Sequence, residues 1–211
     1  MSGRCSGIFT IECFEAGNCL KFPIVPPIII LIGLSAAGKS TVALAIEEIA
    51  LAGRVRRYTT RKPRFDDDPS LVVCRTNLDA GDDDFEYPGW GDDSYLIQRA
   101  DIEHLQHAGV VPIIELGDIE TAISLASKFR NSKIILVRRR INQSELVSLF
   151  RSRGMGPAEI EERLGSLAED GLSLTRRIDD VDYIVDNSGD LHSLQEKFKE
   201  LCVTLGIPPR R

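Results

Sequence analysis

A chain of 211 residues is long enough for one folded domain with a small insert, because domains usually contain about 100–200 residues. Its 43% hydrophobic and 27% charged residues exclude a wholly disordered chain. The formal net charge of −6 argues against a protein that binds DNA or RNA through the phosphate backbone. We therefore expect a soluble folded protein in which any bound anion is met by basic side chains close to it.

The cysteines and the longest uncharged stretch bear on the cellular compartment. The five cysteines are odd in number and contain no C-x-x-C pair, which predicts reduced thiols in a cytoplasmic protein rather than disulfides or a zinc site. The uncharged stretch 22–38 contains three prolines and falls short of the ~20 apolar residues of a membrane span. Glu12 and Glu15 interrupt the apolar region that an export signal needs. We expect neither a membrane nor a nucleic acid as partner.

The predicted elements begin after an N-terminal extension. Residues 1–22 contain one β-like run, Ile8–Phe14, and precede a domain over residues 23–211. An apolar β-branched run predicts a strand over 28–32, and apolar spacing predicts a helix over 41–52. Further predicted strands are 110–116, 133–137 and 183–185, and further predicted helices are 101–108, 118–129, 143–153, 157–177 and 191–205. This alternation predicts an α/β fold with a parallel central sheet covered by helices on both faces.

A glycine-rich motif connects the first predicted strand to the first predicted helix. The pattern G-x-x-x-x-G-K-S/T is satisfied in full by Gly33, Leu34, Ser35, Ala36, Ala37, Gly38, Lys39 and Ser40, which Thr41 follows. In this context successive backbone N–H groups face phosphate oxygens, and the helix N-terminus adds a partial positive charge. Lys39 would reach the β- and γ-phosphates, and the Ser40 hydroxyl would bind Mg²⁺. Residues 33–41 are therefore predicted to bind a nucleoside triphosphate together with Mg²⁺.

A basic segment about 20 residues downstream is the second candidate site. Within Thr59-Thr60-Arg61-Lys62-Pro63-Arg64, two arginines stand three residues apart. The proline favours extended backbone before it, so that both guanidinium groups can fork onto one phosphate of a second substrate. A solvated basic loop is the alternative when the segment is taken alone. An acidic stretch follows, since residues 66–93 contain ten acidic residues and one arginine.

Together these motifs resemble those of the guanylate kinases, and the resemblance covers residues 27–205. It implies a P-loop NTPase core built as a three-layer sandwich, with a small acceptor-binding insert at 53–99 and a helical lid at 140–165. The family signature T-S/T-R-x-x-K/R falls on residues 59–64. The family uses the two arginines of that signature, here Arg61 and Arg64, to hold the phosphate of GMP.

The resemblance also implies roles for residues outside the two motifs. Tyr95 corresponds to a tyrosine that touches the acceptor phosphate, and Glu86 to a glutamate that accepts hydrogen bonds from guanine. Glu115 corresponds to an acid that helps to place Mg²⁺ or its waters, and Asn187 to an asparagine on the adenine side. The lid arginines Arg153 and Arg163 would neutralise charge on the phosphoryl group in transit. Ion pairing with neighbouring glutamates on a helix surface is the alternative for these two arginines.

The chain departs from the family pattern mainly in the predicted insert. Asp66-Asp67-Asp68-Pro69 stands where the family has a glycine and a phosphate-binding tyrosine, Leu96 and Ile97 replace a glycine and a small hydroxyl residue, and Gly117 replaces the second acid of a strand end. Three functions therefore remain open. The first is transfer of a phosphoryl group from ATP to GMP, which yields GDP and ADP. The second is a kinase of a phosphorylated sugar such as ribose 1,5-bisphosphate, and the third is a non-catalytic binding module.

Overall fold

A computed structural model describes residues 25–63, 67–74, 78–89, 91–129 and 131–210. The β-like run Ile8–Phe14 and the predicted phosphate-binding Arg64 lie outside the described residues.

The strands are β1 (Ile28–Ile32), β2 (Ala52–Arg54), β3 (Arg57–Thr59), β4 (Leu71–Val73), β5 (Phe85–Pro88), β6 (Ser94–Ile97), β7 (Val111–Glu115), β8 (Ser132–Arg138) and β9 (Tyr183–Asp186). The helices are α1 (Lys39–Ile49), α2 (Arg99–His107), α3 (Ile119–Lys128), α4 (Gln143–Ser152), α5 (Pro157–Arg176) and α6 (Leu191–Thr204).

Five parallel strands form the central sheet, in the order β2-β7-β1-β8-β9. The middle strand, β1, is buried along its whole length because helices cover both faces of the sheet. Ile29 and Leu31 pack with residues of α1 and α6, whereas Ile28, Ile30 and Ile32 pack with residues of α2 and α3. The predicted α/β fold, with a parallel sheet between two helical layers, is confirmed.

The predicted helix over 41–52 is wrong at its C-terminal end. Helix α1 ends at Ile49, and Ala50 has the extended backbone angles φ −129° and ψ 159°. Ala50 instead pairs with Pro209 near the far end of the chain, and β2 begins two residues later. A contact so distant in sequence overrides a local helical pattern.

A second sheet, with the order β4-β3-β6-β5, is inserted between β2 and α2. Strand β3 pairs antiparallel with β6 and parallel with β4, and β5 and β6 form an antiparallel pair. The strands of this sheet lie between residues 57 and 97, within the predicted acceptor-binding insert at 53–99. Phe85 and Tyr87 of β5 pack against the same core as α2 and α3, which fixes this end of the second sheet to the central domain.

Helices α4 and α5 form a hairpin that follows β8. Helix α4 begins with a capping box, in which Asn142 Oδ1 accepts from the Glu145 amide at 2.9 Å and Glu145 Oε2 accepts from the Asn142 amide at 3.1 Å. Gly154 has φ +83° in the turn, and Pro157 occupies the first turn of α5. Helix α5 continues to Arg176, past the predicted lid boundary at 165, and Leu174 anchors its second half to the core. In the described part of the chain, no helix combines the length and the apolar character that a membrane crossing needs.

Candidate active site

The phosphate loop joins β1 to α1 with a backbone that depends on its glycines. Gly38 has φ +83° and immediately precedes the helix, and a Cβ at this position would lie 2.1 Å from Asn187 Nδ2. A Cβ at Gly33 would lie 2.4 Å from the Val137 carbonyl oxygen. Ala36 also lies in the left-handed region, at φ +67°. Both glycines of the motif are therefore required by close approach, and Gly38 also by its positive φ.

Lys39 is buried at the start of α1 and folds back over the loop. Its Nζ donates to the Gly33 carbonyl at 2.7 Å and to the Leu34 carbonyl at 3.3 Å. Burial lowers the pKa of Lys39 to about 8, although the nearby Glu115 carboxylate opposes this shift. Arg57, Arg163 and Arg153 lower the pKa further through their charge. Four cationic side chains therefore converge at the loop, where a polyphosphate would offset their mutual repulsion.

Ser40 and Glu115 meet beside Lys39. Ser40 Oγ donates to Glu115 Oε2 at 2.8 Å, which links α1 to the carboxyl end of β7. Glu115 is 5% exposed, and its Oε1 is buried without a hydrogen-bond partner. A hydroxyl and an unpartnered carboxylate oxygen are ligands that suit Mg²⁺, which takes few protein ligands and keeps waters and substrate phosphates. Residues 40 and 115 therefore fit the predicted cation, although no group of three or more His, Cys, Asp or Glu placed to hold a metal is found among the described residues.

Arg61 is held at the end of β3 by the two threonines that precede it. The Arg61 amide donates to Thr59 Oγ1 at 3.2 Å, and Thr59 Oγ1 in turn donates to the Ser94 carbonyl at 2.9 Å. Thr60 Oγ1 accepts from the Ser94 amide at 2.9 Å. These contacts fasten the Arg61 turn to β6. The threonines of the motif thus orient the arginine.

The Arg61 side chain is 7% exposed, and its guanidinium group pairs with an acid that the sequence did not single out. Its Nη2 forms an ion pair with Asp67, and its Nη1 donates to the Lys62 carbonyl at 2.7 Å. The Nε has no hydrogen-bond partner. Burial alone would lower the pKa of Arg61, but the hydrogen bonds and charges of Asp67 and Tyr95 hold it above its ordinary value.

Asp68, next along the chain, belongs to a different network. Its Oδ2 accepts from Arg57 Nη2 at 2.9 Å, and its Oδ1 accepts from the Ser70 amide at 2.9 Å and lies 3.6 Å from Arg54 Nη1. Arg57 also donates to the Glu115 carbonyl at 3.0 Å. Burial alone would raise the pKa of Asp68, but hydrogen bonds from Ser70 and the charges of Arg57 and Arg54 hold it below its ordinary value. This network ties the loop before β4 to the central sheet.

The second sheet presents an aromatic wall. Tyr87 and Tyr95 face each other across β5 and β6, with ring centroids 5.3 Å apart and ring planes 13° apart. Both side chains line the same cavity as Arg61. Glu86 is exposed on the opposite face of β5, as strand alternation requires, and it does not line this cavity. The structure therefore does not bring Glu86 together with the other predicted acceptor residues, and its contact with guanine stays a prediction.

A cavity of about 580 Å³ lies between the phosphate loop, the second sheet and the α4–α5 hairpin. Most of the predicted site residues line it: Ser35, Ala36, Gly38, Lys39, Ser40, Thr41, Arg61, Tyr95, Glu115, Arg153 and Arg163. Sequence reasoning did not identify Arg57, Asp67, Asp68, Arg139 or Asp170 as site residues, and all five line the same cavity. Arg57 and Arg139 each stand in a cluster of basic residues, and nothing in the sequence shows which arginine of the cluster faces the cavity.

A second cavity, of about 510 Å³, opens on the other side of the phosphate loop. Its lining is largely apolar and comes from the phosphate loop, the carboxyl ends of β8 and β9, and the helices α4 and α5, with Leu34, Leu146 and Leu174 among the apolar residues. Asn187 does not line it. The Asn187 Nδ2 instead donates to the Ala37 carbonyl at 3.0 Å, so the side chain supports the phosphate loop from behind. Its contact with adenine stays a prediction.

Comparisons with known proteins bear on the fold. No protein-family model and no curated protein matches the sequence. The chain is similar in structure to the guanylate kinase from Anaplasma phagocytophilum, with 16% identity, a TM-score of 0.57, and coverage of 85% of this chain and 86% of that chain. It also matches a sugar kinase from Janibacter sp. HTCC2649 at 14% identity and a TM-score of 0.49, over 88% of this chain and 99% of that chain. The similarity to the guanylate kinase structure shows a P-loop NTPase-like fold.

Proposed function

We propose that this chain is a kinase that transfers the γ-phosphoryl group of Mg²⁺-ATP to a small acceptor that carries a phosphate monoester. The observation that carries the proposal is one cavity that is lined by Lys39 and Ser40 of the phosphate loop, by Arg61, and by Arg153 and Arg163 of the α4–α5 hairpin. A triphosphate on the loop and a phosphate on Arg61 would then approach each other in the same cavity.

On the donor side, different residues would bind the phosphates, the Mg²⁺ ion and the base of the donor nucleotide. The backbone N–H groups of residues 35–40 would bind the β- and γ-phosphates, and Lys39 would add its charge. Ser40 and Glu115 would hold Mg²⁺, which when bound neutralises charge on the triphosphate. The adjacent apolar cavity, lined by Leu34, Ala37 and Leu174, suits the purine base of the donor.

On the acceptor side, an anionic phosphate needs no general base, so the residues have to align it and neutralise charge. Arg61, oriented by Thr59, would bind the acceptor phosphate together with Tyr95. Arg153 and Arg163 would stabilise the charge spread over the phosphoryl oxygens in transit. Closure of the hairpin over the cavity would exclude water and suppress hydrolysis of ATP.

GMP is the first acceptor that we propose, on the strength of the motif at residues 59–64 and the placement of Arg61 and Tyr95. A phosphorylated sugar is the second candidate, and the exposure of Glu86 favours it because the expected guanine contact is not in the cavity. Asp93, Asp118 and Asp170 also line the cavity, and carboxylates accept hydrogen bonds from sugar hydroxyls. Burial raises the pKa of Asp170, and the neighbouring Asp118 carboxylate raises it further.

A coupled ADP-release assay tests the proposal and separates the acceptors. The panel holds GMP, the other nucleoside monophosphates and ribose 1,5-bisphosphate, each with Mg²⁺-ATP. We expect ADP release that depends on one acceptor class and is lost in Lys39→Ala, while Lys62→Ala, which changes an exposed lysine, retains it. Calorimetric titration with Mg²⁺-ATP separates the binding-module alternative. Binding of ATP without turnover of any acceptor would overturn the kinase proposal, and absence of ATP binding would overturn its donor side as well.

A further inference from the structure

Two neighbouring aspartates in the β3–β4 connection have different surroundings. Asp68 is tied down by Ser70, Arg57 and Arg54. Both aspartates line the cavity, but Asp67 forms an ion pair with Arg61, the residue to which we assign the acceptor phosphate. Asp68 therefore anchors the connection, and Asp67 presents a carboxylate at the acceptor position.

The Arg61 guanidinium is a built anion site whose hydrogen-bonding capacity is only partly used. The residue is 6% exposed, Nη1 donates to the Lys62 carbonyl, Nη2 pairs with Asp67, and Tyr95 is a further hydrogen-bonding neighbour. The buried Nε has no hydrogen-bond partner. A guanidinium offers five N–H donors in a planar fork, and a tetrahedral phosphate presents more acceptor oxygens to that fork than one carboxylate does. The unused Nε thus points to a larger anion than the Asp67 carboxylate.

Charge decides which anions can replace the carboxylate. Asp67 carries one negative charge, whereas a phosphate monoester carries roughly 1.5 to 2 negative charges at neutral pH. The Asp67 side chain is 18% exposed and lines the cavity, so a carboxylate displaced from Arg61 would be hydrated there. A doubly charged phosphate therefore gains more from Arg61 than Asp67 does, and a singly charged carboxylate ligand gains no more.

We propose that Asp67 is a specificity-determining residue that occupies Arg61 until the dianionic phosphate of the acceptor displaces it. The inference rests on the proposed function, because that function assigns the acceptor to Arg61. It adds that acceptor binding is an exchange of anions on one guanidinium. Acceptors without a phosphate are then rejected because they cannot displace the internal carboxylate.

The test replaces Asp67 with its neutral isostere and uses inorganic phosphate as the probe. We expect Asp67→Asn to bind inorganic phosphate about tenfold more tightly than the wild type in calorimetric titration, the effect of removing one close competing charge. The acceptor KM should fall by a similar factor, with little change in the KM for ATP. Asp82→Asn is the matched control, because Asp82 is an exposed acid of the acidic stretch 66–93 and does not line the cavity. It should behave like the wild type.

Phosphate can also bind the phosphate loop, so the site is assigned with a double variant. The gain should vanish when Arg61→Ala is combined with Asp67→Asn. Thermal unfolding checks that Asp67→Asn is folded. If it is not folded, Asp67→Ser replaces it in the phosphate titration. Equal phosphate affinity in Asp67→Asn and Asp82→Asn would overturn the inference, and so would weaker binding in Asp67→Asn, which would mean that Asp67 positions Arg61. The phosphate titration gives this answer even if no acceptor is turned over, an outcome that would overturn the proposed function alone.

Discussion

Ser40 Oγ lies 2.8 Å from Glu115 Oε2, and this hydrogen bond connects the first turn of α1 to the last residue of β7. The two residues are 75 positions apart in the sequence, and the parallel pairing of β1 with β7 brings them together. Because the other oxygen of Glu115 is buried without a partner, the pair offers a cation two protein ligands at the edge of the phosphate loop.

Glu115→Gln is expected to raise the Mg²⁺ concentration needed for half-maximal activity and to lower kcat by about a hundredfold, since the neutral amide is a weaker ligand. A Mg²⁺ titration at saturating ATP measures both effects. Glu200→Gln, on the exposed surface of α6, is the matched control and should leave the titration unchanged. An unchanged Mg²⁺ requirement in Glu115→Gln would contradict the assignment.

Lys39 makes the stability of the protein depend on pH in the alkaline range. Its pKa is about 8 in the folded protein and 10.5 ordinarily, so the unfolded chain binds more protons on this side chain between those values. Stability from this group therefore rises with pH in that window. Relative to Lys39→Met, the free energy of unfolding of the wild type should increase by roughly 3 kcal/mol across the window. Urea unfolding at several pH values measures it, with Lys62→Met as the exposed control. A difference that does not vary with pH would refute this expectation.

Gly38→Ala is expected to weaken Mg²⁺-ATP binding by at least about a hundredfold, because the new Cβ meets Asn187 Nδ2 at 2.1 Å. Adding Asn187→Ala removes that clash and should restore part of the affinity. The positive φ of Gly38 still costs alanine about 1–2 kcal/mol, so recovery stays incomplete. Calorimetry measures the affinities, and Gly165→Ala, in open space on α5, is the control. Asn187→Ala alone measures the cost of losing the hydrogen bond to the Ala37 carbonyl, and a double variant whose loss equals the two single losses multiplied would show that the contact with Asn187 is not the cause.

Arg153→Ala and Arg163→Ala are each expected to lower kcat by about a hundredfold or more while changing the KM for ATP much less, because both would act on charge that develops during transfer. Steady-state kinetics separate the two parameters. Arg151→Ala, an exposed arginine on the same hairpin, should have no such effect. If the alternative of surface ion pairs holds, the lid variants would instead lower thermal stability slightly and leave kcat intact.

The phosphate loop and four strands of the central sheet (β1, β7, β8 and β9) were predictable because their patterns are local, whereas the local pattern predicts a helix at Ala52, which begins the edge strand β2. Strand β1 is a run of five apolar residues buried on both faces, and the motif that follows it occupies eight consecutive positions. The second sheet was not predicted strand by strand, because β3 and β4 have only three residues each and β4 is half exposed. Their pairing depends on contacts between segments that are distant in sequence, and a local hydrophobic period carries no information about such contacts.

Spacing and strand alternation give different expectations at Glu86. Glu86 stands nine residues before Tyr95, which matches a family pattern, but it also stands between two apolar aromatic residues in a strand. Alternation places Phe85 and Tyr87 inside and therefore places Glu86 outside. The pattern of the strand was the better guide to its side-chain direction. For Asp67, by contrast, the sequence shows only an acid in an acidic stretch, and its ion pair with Arg61 becomes visible only when the connection to β4 is in place.

Helix α5 forms a wall of both cavities with successive turns. Arg163, Ser166 and Asp170 face the larger cavity, Gly171 and Thr175 face the apolar one, and Leu167 borders both. A displacement of this helix on binding in one cavity would also change the other cavity and would thereby link their occupancies thermodynamically. Linkage is reciprocal: the factor by which a donor analogue changes acceptor affinity must equal the factor by which the acceptor changes affinity for that analogue.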